Sequence, residues 1–84
     1  MFMTAILKGI RVLDLTHVIS GPTATQILAD LGAEVIKVES PPSGEIFRDT
    51  PGLGPSCFLT LNRGKKSIII NLKERRGVEL LLGL

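Results

Sequence analysis

Tryptophan and tyrosine are absent from this 84-residue chain, cysteine and histidine occur once each, and three phenylalanines are its only aromatic side chains. Each shortage removes a class of protein. A lone cysteine, Cys57, forms no internal disulfide, so the chain is no disulfide-held secreted scaffold and suits a reducing cytoplasm. A lone histidine, His17, and scattered carboxylates give no metal-ligand spacing, and no metal is expected. Basic residues without interleaved aromatics argue against single-stranded nucleic acid, whose bases are gripped by stacking on rings. No run of about 18 apolar residues exists to cross a bilayer, and Met1 to Leu7 has no basic segment of the kind that opens a secretory signal. A soluble, cytoplasmic protein with no membrane or nucleic-acid partner is the expectation.

What is plentiful is aliphatic. The chain is 44% hydrophobic with a mean hydropathy of +0.35, yet a chain this short hides only about 60 to 65% of its unfolded surface when it folds alone. Apolar side chains in such excess imply a covering partner, and the remainder of a longer chain is the better candidate than a second subunit. Charge is divided along the sequence: residues 1–61 carry four basic and six acidic groups, residues 62–84 six basic and two acidic. Lys65, Lys66, Lys73, Arg75 and Arg76 are therefore candidates for meeting phosphates, against the plainer reading of a solvated face.

The pattern of apolar residues predicts an α/β order. Ile10, Val12, Leu13 and Leu15 read as a buried strand over about 10–15. Gly21-Pro22 then suits a turn into a helix over 22–31, with Ala24, Ile27, Leu28 and Leu31 on one stripe and Gly32 as the stop. Glu34 to Val38 offers a second strand, completing a βαβ unit and hence a parallel sheet. Residues 39–56 hold most of the remaining prolines and glycines and read as a long surface loop, with Arg48 and Asp49 as contact candidates inside it. Phe58 to Leu61 is too short to assign. Ser67 to Asn71 reads as a third, fully buried strand and Lys73 to Leu82 as a helix weakened by Gly77.

In an open parallel sheet ligands gather beyond the carboxyl ends of the strands, where helix N-termini aim N–H groups outward. Three segments meet that condition: Val18 to Gly21, Glu39 to Ser40, and Leu72 to Lys73. None carries a dinucleotide or P-loop glycine pattern. Asp14 and His17 are the sharpest acid-base pair, although a histidine that orients a turn is the commoner use of such spacing. Cys57, beside Phe58 and Leu59, lacks a neighbouring positive charge and reads as a small core residue. No catalytic constellation can be assembled from these residues.

The blocks Leu7 to Thr16, Gly21-Pro22, Leu28 to Glu39, and Leu61 to Ile68, in this order and at these intervals, resemble the class III CoA-transferases, which include formyl-CoA and carnitine CoA-transferases and the 2-methylacyl-CoA racemases. The resemblance covers nearly the whole chain. It implies the N-terminal part, residues 1–84, of an incomplete Rossmann-like CoA-binding domain in a much longer polypeptide that forms an interlocked homodimer. It implies CoA exchange between an acyl-CoA and a carboxylic acid through a carboxylate that forms anhydride and thioester intermediates, with that aspartate beyond Leu84 and nothing in this chain catalytic. Carried over by position, the coenzyme A contacts are Val18, Ile19 and Ser20 in the first turn, Ser40 after the second strand, and Ile70, Asn71, Leu72 and Lys73 at the end of the third. Lys73 would pair with a nucleotide phosphate while Ile70 and Leu72 pack near the adenine. Two departures stand out: formyl-CoA transferase has an arginine where Ser40 stands, and Glu74-Arg75-Arg76 replaces a Thr-Pro-Glu-like helix start. An acyl-CoA racemase and a small basic nucleotide- or RNA-binding module are the alternatives.

Overall fold

The computed structural model describes residues 6–42 and 44–84. Three strands, β1 (Arg11–Asp14), β2 (Glu34–Glu39) and β3 (Lys66–Ile69), form one parallel sheet in the order β1-β2-β3. Helix α1 (Ser20–Asp30) links β1 to β2, α2 (Gly54–Leu61) lies between β2 and β3, and α3 (Arg75–Leu82) follows. Two successive strand-helix-strand units therefore bring all three carboxyl ends to one edge.

Helix α1 stops where the sequence places its stop. Gly32 takes φ of 101°, and the bonds from Ala33 N–H to Leu28 O and Gly32 N–H to Ala29 O close a Schellman turn. Its buried face differs from the expected stripe. Pro22, Thr25 and Gln26 are buried, whereas Ala24 and Ile27 face solvent and Leu28 and Leu31 are half-buried. The reason is polar: the Thr25 hydroxyl donates to Asp14 Oδ2 at 2.7 Å, which turns that side of the helix toward the sheet.

Two further expectations are corrected. Residues 39–56 are not a bare loop, because a 3₁₀ turn spans Ile46–Arg48 and α2 begins at Gly54. Pro55 sits in the first turn of α2, where its missing N–H costs nothing. Strand β3 is not fully buried. It is an edge strand, and all four of its residues are exposed, Ile69 by 54%. Hydrophobic composition implied burial, but among the described residues no third layer covers that strand.

Among the described residues the apolar core is small, consisting of Ala33, Val35, Val38, Phe58 and Ile70. Alternate residues of β2 share a face, so Val35, Lys37 and Glu39 lie together, all buried. Helix α3 meets the end of β3 through Gly77, where an added Cβ would lie 1.9 Å from Asn71 O. Gly77 weakens the helix by propensity yet is required by this backbone approach. No helix among the described residues is long and apolar enough to cross a membrane.

Candidate functional site at the carboxyl edge of the sheet

Chain direction places the segments after Asp14, Glu39 and Ile69 side by side. Leaving β1, the chain turns through Val18, whose φ of 71° is unusual for a β-branched residue. Helix α1 begins at Ser20 with Ile19 as its N-cap and no side-chain cap bond. Gly21 packs directly on the Thr16 side chain, where a Cβ would lie 2.4 Å from Thr16 Cβ.

Beneath this turn lies a network of charges that the sequence reading did not find. Asp14 accepts from Thr16 N–H at 2.8 Å, from the Thr16 hydroxyl, from Thr25 at 2.7 Å and from Lys65 Nζ at 3.0 Å. Burial pushes the Asp14 carboxyl up, but the hydrogen bonds from Thr16, Thr25 and Lys65 outweigh it and hold its pKa at about 2. Both Asp14 oxygens are thus engaged while His17 is exposed, so the two do not form an acid-base couple. Lys65 also donates to Pro22 O and Asn62 Oδ1, and burial lowers its pKa against the pull of Asp14. Lys37 donates to Thr16 O at 3.0 Å and lies 3.5 Å from Glu45.

Beyond β2 a second network pins the following loop. Glu39 accepts from Arg48 Nε and Nη2 at 2.7 and 2.8 Å, from Glu45 N–H at 2.8 Å and from the Ser67 hydroxyl. The Arg48 bonds, aided by Ser67 and the Glu45 amide, hold Glu39 at about 2 despite burial, and Glu39 in turn raises Arg48. The Arg48 guanidinium rests on the Phe58 ring, 4.1 Å from its centre. Arg48 is therefore spent on holding the loop and is not free for a ligand. The sign in the sequence was a lysine and a glutamate inside the apolar strand Glu34 to Glu39, charges that need partners when buried.

The predicted contacts divide among three places. Ser40, Asn71, Leu72 and Lys73 line one hollow of about 460 Å³ together with Pro41. Asn71 Oδ1 accepts from Lys73 N–H at 3.0 Å, which shapes that wall. Ile19 instead lines an apolar hollow of about 340 Å³ with Ser56, Cys57, Thr60 and Leu61. Val18 and Ser20 line neither. Ile70 is buried in the core and lines a smaller hollow under α3, which shares Asn71 with the Lys73 hollow but does not include Lys73. A further hollow of about 490 Å³ lies at the amino ends of the strands around Gly9, Arg11 and Glu34, where Arg11 is paired with Glu34. In a parallel sheet the carboxyl edge is the ligand side, which favours the Lys73 hollow.

Positive charge does not form one basic face. Arg63 pairs with Asp30, Lys65 with Asp14, Lys66 with Glu34 and Arg75 with Glu79. Lys65 is buried as well. Among the described residues no carboxylate lies within ion-pair distance of Lys73, which is exposed at the hollow. Of the five basic residues named as phosphate candidates, it alone combines a free ammonium with a place at this edge.

Fold and edge together define a class, that of α/β chains whose parallel strands deliver their ligand side to one rim. This chain belongs to the CoA-transferase family III, whose family model matches residues 7–84. It is 52% identical over 86 residues to a formyl-CoA:oxalate CoA-transferase of Streptomyces avermitilis, covering 98% of this chain and 21% of that protein. It is 51% identical to a succinyl-CoA:glutarate CoA-transferase of Mus musculus, covering 89% of this chain and 18% of that one. The chain thus spans about a fifth of the length of the curated relatives it matches. Among solved structures, a hypothetical protein of Mycobacterium tuberculosis superposes with a TM-score of 0.83 at 48% identity, covering 92% of this chain and 22% of the other. A CAIB/BAIF family protein of Brucella suis gives 0.78 at 40% identity, covering 89% and 22%.

Proposed function

We propose that this chain is the Rossmann-like, coenzyme-A-binding N-terminal part of a CoA-transferase that moves CoA from an acyl-CoA to a carboxylic acid, in the cytoplasm and as an interlocked homodimer. The observation that carries the reading is Lys73, an exposed ammonium with no acidic partner among the described residues, at a hollow of about 460 Å³ between the ends of β2 and β3. That volume lies within the range of about 300 to 1,000 Å³ usual for small-ligand sites. Lys73 supplies a charge-assisted contact for a nucleotide phosphate, and Ser40 and Asn71 add hydrogen-bonding groups beside it.

Transfer is the better reading than racemisation because the two curated relatives carry transferase names, and the acids in those names, oxalate and glutarate, are both dicarboxylic. The reacting carboxylate belongs to the polypeptide beyond Leu84. An RNA-binding role finds little support, since Lys65 and Lys66 are engaged by Asp14 and Glu34.

The test is calorimetric titration of coenzyme A into the complete polypeptide that carries this chain. Lys73→Ala is expected to weaken binding by about tenfold or more. Lys66→Ala, outside the hollow, is expected to leave it unchanged. Equal affinity in the wild type and Lys73→Ala overturns the placement of the phosphate. Mass spectrometry of CoA exchange onto oxalate or glutarate separates a transferase from a racemase, which would instead exchange an acyl α-proton for deuterium.

A further inference from the structure

Four buried charged side chains each hold a different backbone group of the turn between β1 and α1 or of the first turn of α1. Asp14 takes Thr16 N–H, Lys37 gives to Thr16 O, Glu45 takes Val18 N–H at 3.0 Å, and Lys65 gives to Pro22 O at 3.1 Å. All four side chains are shielded from water almost completely. Three of them belong to β1, β2 and the segment leading into β3, but Glu45 comes from the loop after β2. Its place is fixed in turn by Glu39, which accepts its backbone N–H.

The group that Glu45 holds is the strained one. Val18 lies at φ of 71°, a conformation that is costly for a β-branched residue and persists only if its surroundings impose it. A buried carboxylate that accepts the amide of that same residue is such an imposition. The left-handed step at Val18 then aims the next residues, Ile19 and Ser20, into the open first turn of α1 at the carboxyl edge.

We propose that Glu45 is a positioning residue for the coenzyme site: it clamps Val18 in its left-handed conformation and so presents the 18–20 turn to the ligand. The proposal rests on reading that turn as part of the coenzyme A site. Glu45 also lies 3.5 Å from Lys37, so the rival account is that it only balances a buried lysine.

Glycine at position 18 distinguishes the two, because it adopts a left-handed φ without a clamp. The pair Lys37→Met with Glu45→Leu removes both charges without orphaning either, a change that buried ion pairs often tolerate. In the complete polypeptide, this pair is expected to weaken coenzyme A binding about tenfold with Val18 present. With Val18→Gly as the background it is expected to weaken binding less than about twofold, a coupling read from the mutant cycle. Equal losses in the two backgrounds, or no loss in either, overturn the clamp.

A ligand-free arm keeps the proposal separate from the coenzyme reading. If the wild type binds no coenzyme A, that reading falls, and hydrogen exchange at the Val18 amide decides the clamp alone. Exchange about tenfold faster in the Lys37→Met/Glu45→Leu variant supports it, and unchanged exchange overturns it. If that variant does not fold, Glu45→Gln keeps the side-chain shape and removes the charge. Severalfold faster exchange at Val18 with an unchanged melting midpoint supports the clamp, and wild-type exchange overturns it.

Discussion

Lys65 Nζ lies 3.0 Å from Asp14 Oδ2, with 1% and 0% of the two side chains exposed, so residues 51 positions apart form a buried ion pair under the first turn. The pair joins the end of β1 to the segment that leads into β3. It is completed by Thr16 and Thr25 on the acid and by Pro22 O and Asn62 on the base.

Breaking that pair from one side leaves an uncompensated buried charge. Lys65→Met is expected to destabilise the fold by about 3 to 5 kcal/mol. Adding Asp14→Asn is expected to recover part of the loss, since the neutral amide still accepts from Thr16 through its oxygen while its NH2 donates to the Thr25 hydroxyl. Urea unfolding midpoints of the two variants check the order.

Acid acts on the second network. The pKa of Glu39 falls from 4.5 to about 2 on folding, so its contribution is complete above about pH 4.5 and is lost as the pH falls through about 2. Relative to Glu39→Gln, the wild type is expected to be more stable by about 2 kcal/mol at neutral pH, and the advantage to shrink to near zero at the acid end. Asp14, also held at about 2, shifts stability in the same direction. Denaturation curves at a series of pH values read the difference, and an advantage that grows on acidification contradicts the assignment.

Gly77 fixes how closely α3 approaches the wall of the Lys73 hollow. A Cβ there meets the Asn71 carbonyl at 1.9 Å to oxygen and 2.7 Å to carbon. Gly77→Ala is expected to cost about 3 kcal/mol despite alanine's better helix propensity, because backbone must move. The same substitution is expected to weaken coenzyme A binding by displacing Asn71 and Lys73. Thermal melts and titration calorimetry measure the two effects.

Ser40 faces the same hollow as Lys73, so a cation at position 40 adds to the field at the phosphate site. Ser40→Arg is expected to tighten coenzyme A binding by about threefold to tenfold at low salt, with the gain fading as ionic strength rises. Affinities measured across a salt series test this, and a salt-independent change counts against a phosphate at that place.

Local patterns carried much of the architecture. The branched run at Val12-Leu13, the Gly32 stop, and Val35 to Val38 define strand, helix and strand by properties that neighbouring residues settle among themselves, and the parallel sheet follows from their order. Helix α2 escaped because Gly54-Pro55 reads equally as a turn or as a helix start, and only its packing with α1 and the 46–48 turn decides between them. That Ser40, Asn71, Leu72 and Lys73 come together was legible by position, and they line one hollow, whereas the distribution of Ile19 and Ile70 into other hollows was not legible.

The sequence by itself determined the α/β order, the family, and which strand ends share one edge, because periodicity, capping and motif spacing are local or linear properties. Only the tertiary structure decided which charges are free and which are spent. Lys65, Lys66 and Arg48 look as available as Lys73 along the chain, but each meets a carboxylate between 9 and 51 residues away that folding alone brings within reach. The cost of burying an unpaired charge makes those partnerships obligatory at Asp14 and Glu39, and so leaves Lys73 facing the hollow.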